Sequence, residues 1–393
     1  MPSRRTTIDT IRGLCLVNIF VGHLQLGELH AASPSRLGFS DSADIFVLLS
    51  GISTALAFGR RASGPFPKLL LSLWRRAARI FAFNIGIVVA TLLIFITVIA
   101  LRGSDQGYAD HLRLLREPGL ETLLWHAVTL RQSVGHSTIL RLYVALMLMA
   151  PVWLRLAVWR WWAPLAGAGL LWIAGGHFHL VILNSLTGEP FLLGIVPWTL
   201  LFCIGITIGM AMQRGVQVPV TPLLVIPAVA VLLGYLVLVV VVAPSWPPAQ
   251  AWIASRNEHF WIGASKIYQS PLRLLHMLSL TYLVMALPKA PLIRLLHAAR
   301  ADQFLPRLGR SSLPVFTVGA VGAVLADEVL DLVRDETGAA WLPAFVVEVT
   351  AIAAYLWLAD LISRRRPVPS AMRDPARLHL GSRLSTNEPA LRS

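Results

Sequence analysis

The chain has 393 residues, of which 56% are hydrophobic and 14% charged, with a mean hydropathy of +0.67. These values exclude a soluble globular domain, because apolar runs long enough to cross a membrane recur from end to end. The formal net charge is +14, but the basic residues cluster between the apolar runs as membrane topology signals do, so we expect no nucleic-acid partner.

The apolar runs predict an all-α bundle of about ten transmembrane helices. These segments lie near 10–27, 42–59, 78–101, 139–157, 162–175, 191–212, 220–243, 271–289, 312–333 and 341–363. Residues 119–133 are too few and too polar to span alone, so we expect a helix that lies on the membrane or dips partway into it. An eleventh span remains open.

Basic residues before the first span, after the second and after the last predict that both termini are cytoplasmic. Those basic residues include Arg4, Arg5, Arg60, Arg61 and Arg364 to Arg366. Residues 1–366 then form one transmembrane domain. Residues 367–393 are polar and rich in Pro and Arg, which predicts a disordered cytoplasmic tail.

The first predicted span carries Arg12 and His23, eleven residues apart. Eleven residues make about three helical turns and about 16 Å of axis, so both side chains project from one face at different depths. Ionisable residues inside a membrane are candidates for function. We predict a general base at His23, although a histidine there can also simply hydrogen-bond a neighbouring helix.

Two acids, Asp41 and Asp44, open the second span and return to the depth of His23. A carboxylate on one imidazole nitrogen raises the basicity of the other, as a base that deprotonates a hydroxyl requires. Asp41 also stands where a helix N-cap is expected. The sequence leaves both interpretations open.

Further polar residues occur at the ends of later spans. Arg273 and His276 share one face of the eighth span, and the Arg273 fork can hold an acyl anion or simply reach the membrane interface. Tyr143 and Trp198 join Arg273 as candidate oxyanion donors. Other polar or small residues in these regions are His136, Arg141, Gly205, Gly209 and Glu348, of which the two glycines indicate helix packing and Glu348 has no explanation.

The two cysteines, Cys15 and Cys203, lie inside apolar runs. Two cysteines in these positions cannot build a disulfide framework or a cysteine-based zinc site, so we expect neither redox chemistry nor a bound metal.

The order of these motifs resembles the OpgC family of inner-membrane glucan-modifying proteins, within the acyltransferase-3 type. The resemblance rests on Arg12 and His23, GFSDSADIFVLLSG (38–51), LYVALMLMAP (142–151), VPWTLLFCIGITIG (196–209), SPLRLLHMLSLTYL (270–283) and LGRSSLPVFTVG (308–319). It implies a multi-pass protein of the bacterial inner membrane that transfers an acyl group, succinyl in the best-known members, from cytoplasmic acyl-CoA to periplasmic glucan. It also implies that His23 is catalytic, that Arg12 binds the donor or supports the site, and that Asp41, Asp44, Arg273 and His276 belong to the site.

Several alternatives remain at this stage. Transfer can be direct or pass through an acyl-histidine, and retention of an acyl anion by Arg273 or Lys266 would favour succinyl. The donor can instead be acetyl-CoA, and the acceptor another surface or lipid-linked glycan. A transporter or flippase can also bury Arg and His, although such proteins often contain internal repeats and none is evident here. No permanently bound cofactor is expected, and the oligomeric state is open.

Overall fold

The structure, a computed structural model, describes residues 4–29, 38–102, 119–337 and 341–365. Within these ranges the chain is helical, with one isolated bridge between Leu183 and Pro190. The helices are α1 Arg4–His23, α2 Ser42–Phe58, α3 Phe66–Arg102, α4 Leu120–Val128, α5 Thr138–Trp159, α6 Ala163–His177, α7 Ile195–Gln213, α8 Pro222–Val237, α9 Pro247–Ser255, α10 Pro271–Ala286, α11 Pro291–Ala298, α12 Phe304–Arg310, α13 Ser312–Thr337 and α14 Trp341–Arg364. The predicted all-α class is confirmed.

Seven of the described helices are long and apolar enough to cross a membrane, and an eighth span results if α10 and α11, bent by 73°, count as one. Each of the ten predicted segments overlaps a helix, but α6 has only 15 residues and polar residues interrupt α1. About ten spans and cytoplasmic termini therefore stay predictions. Residues 367–393 lie outside the described ranges.

Residues 119–133 contain only the nine-residue helix α4. Nine residues rise about 14 Å, roughly half the thickness of the hydrocarbon core, so α4 is too short to span. Leu123 and Ala127 face the protein and are buried, while Trp125 is exposed. This partial burial agrees with a helix that lies against the bundle.

Helices α2 and α7 pack at the centre with their backbones in close contact. A side chain at Gly51 would overlap the Phe202 carbonyl oxygen, and one at Gly205 would overlap the Leu48 carbonyl oxygen. Gly209 likewise lies against Ile52. The predicted packing role of Gly205 and Gly209 is therefore confirmed, because small residues allow membrane helices to approach this closely.

We expect Gly205→Leu to lower the melting temperature, because its side chain must push α2 away from α7. Overpacking of this kind costs about 1–3 kcal/mol and more when backbone must move. Gly234→Leu is the matched control, since nothing lies within 4 Å of a Cβ at Gly234. Thermal denaturation of both variants in detergent checks this, and equal melting of the two would contradict the packing role.

The turn after α1 is held by carboxylates from the two last helices. The Leu29 N–H donates to both Glu348 oxygens at 3.1 Å, and Asp327 accepts from the N–H groups of Gln25 and Leu26 at 3.4 and 3.5 Å. A side chain at Gly27 would overlap the Glu348 carboxylate. This contact explains Glu348, which is fully buried, as an anchor for the end of α1.

Candidate active site

A cavity of about 360 Å³ opens beside the end of α1. Its wall combines polar groups from α1, the start of α2, the turn before α5 and the loop before α10. These polar lining residues are Asn18, His23, Gln25, Asp41, Ser42, His136, Thr138 and Lys266. Of the residues predicted for the site, the cavity contains His23 and Asp41.

The rings of His23 and His136 stack face to face in this cavity. Their centroids are 3.8 Å apart and their planes differ by 3°. His136 lies in the 3-10 turn Gly135–Ser137, where Gly135 has a φ of +56° and would bring a Cβ to 2.8 Å from the Thr91 hydroxyl. Both the positive φ and the lack of room for a Cβ require glycine at position 135. The turn built on this glycine holds the His136 ring against His23.

Asp41 is both the N-cap of α2 and part of the cavity wall. Its side chain accepts from the Ala43 N–H at 2.8 Å, and Asp44 accepts from the Asp41 N–H at 2.8 Å, which completes a capping box. Asp41 also pairs with Lys266 at 2.6 Å and Arg273 at 2.8 Å. Burial raises the pKa of the Asp41 carboxyl, but the two cations outweigh burial and lower that pKa below its usual value.

Asp44 lies in the first turn of α2 and is fully buried. It accepts from Arg273 Nη2 at 2.5 Å, from Arg273 Nε at 3.1 Å and from Gln269 Nε2 at 2.8 Å. Asp44 is not among the described residues that line the cavity of His23. The structure therefore brings Asp41 to His23's cavity and directs Asp44 to Arg273.

Arg273 is 5% exposed and its guanidinium is occupied by protein groups. Besides Asp41 and Asp44 it contacts the Phe39 carbonyl oxygen at 3.0 Å. His276, one turn along α10, lies 2.7 Å through Nδ1 from the Ser40 hydroxyl. Both side chains thus hold the segment before α2, and neither lines the cavity.

Trp198 is fully buried and supports the loop that carries Lys266. Its indole N–H donates to the Lys266 carbonyl oxygen at 2.7 Å. The carbonyl of Gln269, three residues further along this loop, accepts from the Trp172 indole N–H at 2.7 Å. Because the indole N–H is the only hydrogen-bond donor of this side chain, Trp198 positions Lys266 and has no side-chain donor left for an oxyanion.

Arg12 and Tyr143 form a second polar cluster deeper along α1. Arg12 donates to the Leu49 carbonyl at 3.0 Å, and both Arg12 and Arg76 are near enough to Tyr143 to interact electrostatically. In the described part of the chain, Arg12 Nε and the Tyr143 hydroxyl are buried with no hydrogen-bond partner. Neither residue lines the cavity of His23.

Two cavity residues, His136 and Lys266, were given no catalytic role by the sequence. His136 was noted only as a polar residue near the start of a predicted span, and its position next to that span is the signal that could have identified it. Lys266 was considered only as a cation that could retain an acyl anion, and its position in a polar loop did not predict that it lines the cavity of His23.

The family model described as OpgC protein matches residues 4–367 of this chain. No curated protein and no solved structure matches this chain.

Proposed function

This chain belongs to the OpgC family, and from this membership we propose that it is a membrane-embedded O-acyltransferase that moves succinyl from cytoplasmic succinyl-CoA to hydroxyls of a periplasmic glucan. The observation that supports this best is the cavity in which His23, His136, Asp41 and Lys266 meet at the end of α1. A half-buried histidine in the same cavity as an ionised carboxylate has the chemistry of a general base.

In this proposal His23 removes the proton of a sugar hydroxyl while the hydroxyl oxygen attacks the thioester carbonyl. The new C–O bond forms, the C–S bond breaks, and the proton passes from the His23 imidazolium to the leaving thiolate. Asp41 stays ionised because of its low pKa, and its negative charge on the same wall favours the imidazolium. An acyl-histidine at His23 is the alternative route.

Lys266, which lines the cavity, supports succinyl as the transferred group. Two cations were candidates for its free carboxylate, and Arg273 is already engaged by Asp41, Asp44 and Phe39. Lys266 is paired with Asp41 but also lines the cavity, so its ammonium can reach a second carboxylate. This leaves Lys266 as the group that retains an acyl anion.

The cluster of Arg12, Arg76 and Tyr143 supports entry of the donor from the opposite end of α1. Arg12 Nε and the Tyr143 hydroxyl have hydrogen-bonding capacity that the described residues do not use. Buried donors without partners are costly unless a ligand satisfies them. We assign them to polar groups of the acyl-CoA, with the thioester arm directed toward His23.

Mass spectrometry of periplasmic glucans tests the proposal, in a host that lacks its own modifying enzyme and expresses this chain. Glucans carrying the mass of added succinyl groups are the expected result, with cells that carry the empty vector as control. Mass increments of acetyl groups would indicate acetyl-CoA as the donor in place of succinyl-CoA. Unmodified glucans, despite confirmed membrane insertion of the chain, would contradict a glucan acceptor. A chain that also consumes no acyl-CoA in purified form would point to a transporter.

A further inference from the structure

The stacked partner of His23 has no role in the reaction as written above. The rings of His23 and His136 lie parallel with centroids 3.8 Å apart. In such a stack the nitrogens of each ring point outward in the ring plane, so the two imidazoles cannot hydrogen-bond each other. His136 therefore does not fix the tautomer of His23, as the carboxylate of a catalytic triad does.

What a parallel imidazole can affect is the charge of its neighbour. Two imidazolium rings at this separation repel, so the pair takes up its second proton at lower pH than its first and titrates as a unit. A neutral ring, in contrast, presents its π face to the cation and stabilises it. The other charged groups on this wall, Asp41 and Lys266, are paired with each other at 2.6 Å.

We propose that His136 is a positioning residue for acyl transfer, whose neutral ring stabilises the His23 imidazolium that forms when the sugar hydroxyl loses its proton. This inference rests on the function proposed above. It also gives a reason for the turn at Gly135, which uses a left-handed backbone conformation to place this ring on His23.

The test compares His136→Phe, which keeps a flat ring, with His136→Ala, which removes it. Initial rates are measured with purified protein, succinyl-CoA and glucan across a range of pH. We expect His136→Ala to lose about ten-fold in kcat at unchanged KM for succinyl-CoA, and His136→Phe to stay within about three-fold of the native rate. The acid limb of the native profile should reach a two-proton slope, and that of His136→Phe a one-proton slope.

His126→Ala is the control, because His126 is a half-buried histidine on α4 that does not line the cavity, and melting temperatures show that each variant is folded. Native rates and native pH slopes in both His136 variants would overturn the proposal. Equal losses in folded His136→Phe and His136→Ala would overturn it too, since they would make a ring nitrogen essential instead of the stack. A native chain that transfers no acyl group at any pH would instead overturn the proposed function, and this inference with it.

Discussion

We expect His23→Ala to insert and fold like the native chain and to lower acyl transfer by at least about 10³-fold, in the range of lost general-base catalysis. In the proposed mechanism His23 makes the sugar hydroxyl nucleophilic, so its removal leaves that hydroxyl without its base. The same loss is expected if His23 carries the acyl group. Release of free CoA and the mass of the glucan are the two measurements.

His259→Ala is a suitable control for this experiment, since His259 is exposed and does not line the cavity. Native levels of succinylated glucan in His23→Ala would end the mechanism. Brief exposure of the native chain to succinyl-CoA without glucan separates the two routes. A succinyl group that remains on the protein and is absent in His23→Ala indicates the acyl-histidine, and its absence indicates direct transfer.

The second large effect concerns stability, and we expect it for Arg273→Met. This change leaves the Asp44 carboxylate fully buried with only Gln269 and one backbone N–H to solvate it. Removing one partner of a buried ion pair costs about 3–5 kcal/mol because the remaining charge is uncompensated. Asp41 is affected less, since it keeps its contact with Lys266.

Thermal denaturation in detergent measures this loss. Arg300→Met is the matched control, because Arg300 and Asp302 form an exposed ion pair and such pairs contribute little. The double variant Asp44→Leu/Arg273→Met should melt above Arg273→Met, because apolar replacement of both partners removes the buried charge. Equal melting of Arg273→Met and Arg300→Met would contradict the structural assignment of the pair.

The fold and part of the site follow from local features of the sequence. Apolar length predicted ten long segments, each of which overlaps a helix, but it did not predict the short helices α9, α11 and α12. The N-cap position of Asp41, one of the two interpretations that the sequence left open, is confirmed because capping acts within three residues. Capping is thus a local consequence of the sequence. The presence of Asp41 and His23 in one cavity is not local, because 18 residues separate the end of α1 from the start of α2.

The rest of the site depends on which distant groups meet, and spacing does not determine that. Arg273 and His276 were correctly placed on one helical face, but their partners Asp44 and Ser40 come from α2 and its approach. His136 meets His23 only because of the left-handed turn at Gly135. Spacing in the sequence predicts which side of a helix Arg273 and His276 occupy. It does not predict whether their partner is a substrate or another part of the protein.

The carboxylates that hold the turn after α1 impose an order on biosynthesis. Asp327 and Glu348 emerge from the ribosome long after Gln25, Leu26 and Leu29, whose N–H groups they bind. Helix α1 is made first, but the turn after it gains these acceptors only when α13 and α14 have been made and have packed beside it. A chain truncated before α13 therefore leaves the N–H groups of Gln25, Leu26 and Leu29 without these acceptors.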